Sequence, residues 1–450
     1  MKTTSALIVS ILALAMSVPM SLTQAAEAGV QSPRSGTTGI YRNLFTELLG
    51  KTEAEVDAKV EAAWKKLFHG DPETERIYYP IHDDMAYIPD VGNRDVRSEG
   101  LSYGMMIAMQ LDKKEEFNRI WKFAKTYMYH DSGPLRGYFT WHTAYNGSMT
   151  RDDGSVIRGN GPAPDGEEWF VMALFFASHR WGDGEGIFDY EKEAQSLLRS
   201  MLHKDEEEGR GDVTNMFDRE TRQIVFTPDP NGSRFTDPSY HLPAFYELWA
   251  KWAKDPADRK FMNEAVKASR ELLRKAAHPA TGLMANYSGF DGKPHATRWM
   301  VDEFREDAWR TLSNPALDWV WWGADPWQVE QSNRVLAFFA KQPADDWPDH
   351  LKVDGTVVRR GEKSPGLYAM AAAAGLAADP ALARPFVQRL WDMPVPDDKG
   401  RDNDGIREEG SLRSWRYYDG LLTMIALLEV SGKFRIHPPQ QDASDEAGAD

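Results

Sequence analysis

Apolar residues recur every three or four positions over much of this chain, a spacing that predicts a protein built mainly of helices. Val56, Val60, Ala63, Trp64 and Leu67 share one face, and Thr52 with Glu55 ahead of them make a capping box. Phe117, Ile120, Trp121 and Ala124 mark a second such face. From about Glu167 to Trp181 the residues are apolar nearly all round, as in a helix buried on every side. Further helical patterns cover 189–203, 241–254, 257–277, 305–318, 327–341, 365–378, 380–391 and 412–431. Strand signals are few and short. Alternation between one-sided and all-round burial predicts an all-α fold whose inner and outer helices pair and close into a ring. Loops would then line a cleft at one end.

Two stretches lack the helical period. Residues 71–98 read as a loop with short extended pieces, and 131–168 is a long polar run dotted with glycine. Structureless stretches of that length inside a compact domain are usually functional. Residues 1–26 have the form of a secretory leader. Lys2 supplies the charge, Ala6 to Val18 the apolar core, and Thr23, Ala25, Ala26 and Ala28 the small residues for cleavage. The expectation is export, to the periplasm or beyond, with no membrane attachment after cleavage. Residues 27–40 are expected to be flexible, 41–436 to form a single domain, and 437–450 to be an acidic disordered tail.

The formal charge of −16 argues against nucleic acid as a partner and disfavours polyanionic sugars. There is no cysteine, so neither disulfides nor thiolate metal sites can form. The histidines have no metal-binding spacing, and neither a Gly-x-Ser-x-Gly elbow nor a phosphate loop occurs. What remains is carboxylates in aromatic company, with sixteen tryptophans able either to fill a core or to stack on sugar rings. That chemistry suits glycosidic bond cleavage, in which a carboxyl group protonates the leaving oxygen. No cofactor is required.

One stretch combines these features: Asn93-Arg94-Asp95-Val96-Arg97-Ser98-Glu99-Gly100-Leu101-Ser102-Tyr103-Gly104-Met105-Met106. It runs from polar residues straight into an apolar helix, with Glu99 in the first turn. Spacing alone leaves two readings open: a carboxylate favouring the helix dipole, or a desolvated general acid. The whole string resembles the general-acid motif of glycoside hydrolase family 8, most of all its xylan-active members.

Three further stretches carry the same resemblance. In Gly161-Pro-Ala-Pro-Asp165-Gly-Glu-Glu-Trp169, the family places an aspartate that binds and distorts the sugar at Asp165; read alone, Asp165 is a helix N-cap. Phe235-Thr-Asp-Pro-Ser-Tyr240-His-Leu-Pro243 resembles a cleft loop, with Tyr240 either touching sugar or packing in the core. Phe304-Arg305-Glu306-Asp307-Ala308-Trp309-Arg310 matches a segment whose middle aspartate is the general base; read alone, Asp307 is a helix charge paired with Arg310. Arg416-Tyr417-Tyr418-Asp419 extends the likeness towards the C-terminus.

The resemblance implies an (α/α)6 barrel and a single-displacement, inverting mechanism. Glu99 would be the acid, Asp307 the base and Asp165 the distorting residue, with acid and base about 6.5–9.5 Å apart. Trp141, Tyr240, Tyr103, Arg310 and Lys363 are the candidate sugar contacts. The implied substrate is a xylo-oligosaccharide or xylan, cut by a monomeric enzyme that frees xylose from the reducing end. One departure favours internal cutting instead. Strict exo members close the leaving-group side with a Leu-His-Pro kink, and here Gly361-Glu-Lys363-Ser-Pro-Gly366 stands in its place. Cellulase and chitosanase activity within the family, and an inactive glycan-binding protein, are the remaining alternatives.

Overall fold

The computed structural model describes residues 30–298, 301–344, 346–359, 364–399 and 415–439. Among them, twelve α-helices of nine residues or more carry the fold. They are α1 (Glu53–His69), α2 (Ser98–Gln110), α3 (Lys114–Tyr127), α4 (Pro164–Trp181), α5 (Tyr190–His203) and α6 (Pro243–Trp252). The chain continues with α7 (Pro256–Ala276), α8 (Asn314–Trp322), α9 (Trp327–Phe339), α10 (Pro365–Ala374), α11 (Pro380–Asp392) and α12 (Tyr418–Val430). The expected capping box is present: Thr52 caps α1 through the Glu55 amide, and Glu55 returns a bond to the Thr52 amide.

Burial sorts the helices into two kinds. Every residue of α2 except Glu99 is buried, and so is α4 from Pro164 to Ala177. By contrast, α7 buries a single stripe that includes Met262, Ala265, Val266, Leu272 and Leu273. A helix that is apolar all round must be enclosed, whereas an amphipathic one covers it from outside. Accordingly α2 packs on α4 and α12, and α10 packs on α12, while α3, α5, α7 and α11 each lie against α2, α4, α6 and α10 respectively.

A glycine lets the first turns of α2 and α4 meet. A Cβ on Gly166 would lie 2.5 Å from the Ser98 Oγ, so only glycine lets the first turn of α4 press on the first turn of α2. That contact brings Asp165 beside Glu99.

Among the described residues, three small antiparallel sheets connect the helices. In the second, Asp95–Arg97 is the central strand, between Pro89–Asp90 and His142–Thr143, and runs directly into α2. In the third, Glu303–Phe304 pairs with His350–Lys352 and leads into a 3-10 turn, Glu306–Leu312.

Several expectations need correction. The helix expected from Glu167 begins at Pro164, because proline suits a first helical position. Asp165 is therefore inside the helix, and Ala163 holds the N-cap position. The single helix expected over 305–318 is a 3-10 turn followed by α8, since Pro315 fits only the start of a new helix. Residues 30–40 are not loose throughout. Ser35–Thr38 is a helical turn, the Ser32 hydroxyl bonds the Trp319 carbonyl, and a Cβ on Gly36 would meet the Trp322 ring. The expected tail begins too early, because the His437 carbonyl accepts a bond from His179 Nδ1 at 2.8 Å. The leader at 1–26 and the tail from 440 lie outside the described residues. No helix among the described residues is long and apolar enough to cross a membrane.

Candidate active site

The start of α2 is fixed before its first turn. Arg97 stands opposite His142 in the sheet, and the Ser98 amide donates to the Trp141 carbonyl at 3.0 Å. Asp90 and Asp95 hold the Arg97 guanidinium at 3.2 and 3.1 Å. With its neighbours enclosed, Glu99 emerges as the unburied residue of α2, its side chain still only 16% exposed.

Asp165 enters from the first turn of α4. Its side chain is buried, and Oδ1 accepts the Gly166 amide at 2.9 Å. The third arm is the 3-10 turn, which carries Asp307 and Arg310 one turn apart.

Arg310 joins the three arms. Its buried Nη1 donates to the Tyr103 hydroxyl at 2.7 Å and to Asp165 Oδ2 at 2.8 Å, and lies 3.4 Å from Glu99 Oε2. Nη2 is 3.4 Å from Asp307 Oδ1, and Nε donates to the Asp307 carbonyl at 3.2 Å. The Tyr240 ring lies 5.5 Å from the guanidinium. One guanidinium thus touches all three candidate carboxylates, which are far apart in sequence. The pairing of Asp307 with Arg310 expected from helical spacing exists, as one part of this larger network.

One cation cannot neutralise three buried or half-buried acids. Burial raises the Glu99 pKa to about 8; Asp165 and Asp307 push it the same way, against the pull of Arg310 and Arg97. Burial also raises Asp165, opposed by its direct bond to Arg310. At neutral pH Glu99 therefore holds a proton that it can donate. Asp307 differs, because its side chain is 35% exposed and open to water. A cavity of about 100 Å³ lies between them, lined also by Arg97, Trp309, Tyr417 and Tyr418. An acid that keeps its proton, a solvent-facing carboxylate and aromatic walls can together cleave a glycosidic bond.

The remaining predicted contacts divide. Tyr103 and Tyr240 join the Arg310 network. Trp141 stacks on His142 at 3.5 Å between centroids and lies 5.4 Å from the Arg97 guanidinium, beside the cavity lining. Lys363 lies outside the described residues. Sequence reasoning missed Asp90, which lines the cavity and anchors Arg97. It also accepts from the Asn93 amide at 3.0 Å, so Asp90 to Asn93 reads locally as an ordinary turn. Asp237 was missed as well. It is fully buried, its Oδ2 has no hydrogen-bond partner among the described residues, and burial with nearby Asp307 raises its pKa well above the usual carboxylate range.

Comparison with known proteins adds a family and relatives. The family model of glycosyl hydrolases family 8 matches residues 88–400. The reducing-end xylose-releasing exo-oligoxylanase Rex8A of Paenibacillus barcinonensis is 45% identical over 403 residues, covering 89% of this chain and 97% of the relative. Its structure complexed with xylose superposes with a TM-score of 0.79, covering 90% of this chain and all of that one. A reducing end xylose-releasing exo-oligoxylanase from Halalkalibacterium halodurans is 41% identical, over 89% of this chain and 95% of the relative. A xylohexaose complex of a catalytic mutant xylanase from Teredinibacter turnerae is 41% identical with a TM-score of 0.79, covering 90% of this chain and all of that one.

Proposed function

We infer the reaction from the family, because this chain belongs to glycosyl hydrolases family 8. It is a glycoside hydrolase acting on xylo-oligosaccharides, and it releases xylose from their reducing ends. Support comes from three exo-oligoxylanases that are 37–45% identical over 86–89% of the chain. The fold that accompanies this reading is an (α/α)6 barrel. Contacts of α2 with α4, α6 with α8, α8 with α10, α10 with α12 and α12 with α2 support a closed inner ring, as does the Trp169–Phe245 ring contact between α4 and α6. The leader fits export to the periplasm or beyond, and the mature enzyme works as a monomer on its sugar chain.

The mechanism assigns one task to each arm. Glu99 gives its proton to the leaving glycosidic oxygen. Asp307 takes a proton from a water that attacks the opposite face of the sugar, and the anomeric centre inverts. Asp165, fixed by Arg310, binds the ring beside the scissile bond and favours its distorted form. Positive charge develops on the ring in the transition state, and the Asp165 carboxylate lies ready to stabilise it without reorganising. The observation that carries this reading is the Arg310 guanidinium, bound to Asp165 at 2.8 Å and within 3.4 Å of both Glu99 and Asp307.

Two measurements test it. Fresh product from a β-linked xylo-oligosaccharide is the α-anomer by NMR; a β-anomer appearing first excludes single displacement. Xylohexaose yields xylose and xylopentaose first. Early xylotriose, with a rapid loss of viscosity in polymeric xylan, favours the second reading, an endo-xylanase. What motivates that alternative is the sequence Gly361-Glu-Lys-Ser-Pro-Gly366, which stands where the resemblance implies Leu-His-Pro.

A further inference from the structure

The residue before the base has an uncommon backbone. Glu306 has φ +27°, in the left-handed region that an L-residue with a side chain avoids. Such a conformation persists only where its surroundings hold it. Here, each carbonyl flanking the base is tied to a side chain. Arg310 Nε holds the Asp307 carbonyl at 3.2 Å, and the Tyr418 hydroxyl donates to the Glu306 carbonyl at 3.1 Å. Tyr418 comes from the first residue of α12, and its ring lies 6.0 Å from that of Trp309 on the same 3-10 turn. Arg305 bonds the Glu306 carboxylate, which restrains the side chain and leaves the carbonyl to Tyr418.

We propose that Tyr418 is a positioning residue: its hydroxyl clamps the left-handed Glu306 peptide and thereby holds Asp307 at the cavity. Without the clamp the peptide relaxes to negative φ and turns the following side chain away. The proposal rests on Asp307 being the base, and that assignment is checked separately by Asp307→Asn.

The test is a cycle on the full mature chain with xylotriose as substrate. Tyr418→Phe lowers kcat by about tenfold or more with KM within about twofold, because geometry at the reacting centre is lost and ground-state binding is not. Glycine adopts positive φ without strain, so in a Glu306→Gly background the same change costs less than about threefold. An equal loss in both backgrounds, or a loss expressed in KM, means that Tyr418 acts on the sugar directly and overturns the proposal. A second pair leaves Tyr418 in place and guards against a Tyr418→Phe protein that folds poorly. Glu306→Val, β-branched and strained at positive φ, falls below Glu306→Asn in kcat, since asparagine tolerates that region. Equal kcat values for the two also overturn the proposal. Near-normal turnover in Asp307→Asn defeats the base assignment instead, whatever the cycle shows.

Discussion

Glu99 and Glu429 both have pKa values raised to about 8, and of the two it is Glu99 that lines the cavity. Glu99 lies in the first turn of α2 and Glu429 nearly ends α12. From Tyr418, which lines the cavity, Glu429 is eleven residues on, roughly 16 Å along the helix axis. Burial alone raises Glu429, and its buried Oε2 has no hydrogen-bond partner among the described residues. Around Glu99, burial is joined by two anions and two cations that pull in opposite directions. A perturbed acid becomes a site through its company. Glu99 has a fixed cation within 3.4 Å, a second carboxylate on that cation and a cavity to act into. Glu429 has only its burial.

Replacing each acid by its amide separates the two most strongly. Glu99→Gln lowers kcat on unactivated xylo-oligosaccharides by about 10²–10⁴-fold, whereas Glu429→Gln leaves it unchanged. An aryl xyloside with a good leaving group restores much of the lost rate in Glu99→Gln, because that departure needs no acid. It restores nothing in Asp307→Asn, where water activation is missing. Equal rescue in both would erase the distinction between acid and base.

Arg310 comes next. Arg310→Gln leaves Asp165 and Glu99 buried without their shared cation. The expected outcome is a loss of about 3 kcal/mol of stability by denaturant unfolding and a kcat lower by about 10². A smaller effect attaches to the pH profile. Its basic limb belongs to Glu99 and lies near pH 8 in the native enzyme. Removing the cation in Arg310→Gln disfavours the carboxylate and moves that limb upward. Removing the neighbouring anion in Asp165→Asn moves it downward. Movement in the same direction in both variants would refute this account of the Glu99 environment.

Much of this was legible in local sequence, and the rest was not for physical reasons. The capping box at Thr52 and Glu55 and the all-round apolar stretch of α4 are written in neighbouring residues. Glu99 stood out because its motif resembles a known one. The Arg310 network was not legible as a network. Its members come from α2, α4 and the 3-10 turn, and no periodicity says that positions 99, 165 and 310 meet. The same holds for the strand pair Arg97 and His142, two short pieces whose pairing is specified by tertiary packing. Glu306 gave no signal either, since left-handed backbone is normally announced by Gly or Asn, and here a glutamate is held in it by bonds from elsewhere.

Glu429 provides a control in which stability changes with pH while catalysis does not. Its pKa is about 8 in the folded chain against an ordinary 4.5. Below pH 4.5 the group is protonated in both folded and unfolded chains, and it contributes no pH dependence. Between 4.5 and 8 the unfolded chain has released the proton that the folded chain still holds, so stability falls as pH rises. Above 8 both forms are ionised and the folded chain carries the full cost of a buried charge. Glutamine is neutral throughout and removes this dependence. Glu429→Gln is therefore most stabilising on the alkaline side. Relative to its effect at pH 4, the gain is roughly 3 kcal/mol at pH 7, read from urea unfolding at several pH values. A gain that does not vary with pH would mean that Glu429 is already ionised in the folded chain. In that case burial alone would not hold a proton on an acid at this end of the helices, and the cavity-side charges around Glu99 would matter more to its raised pKa than burial does.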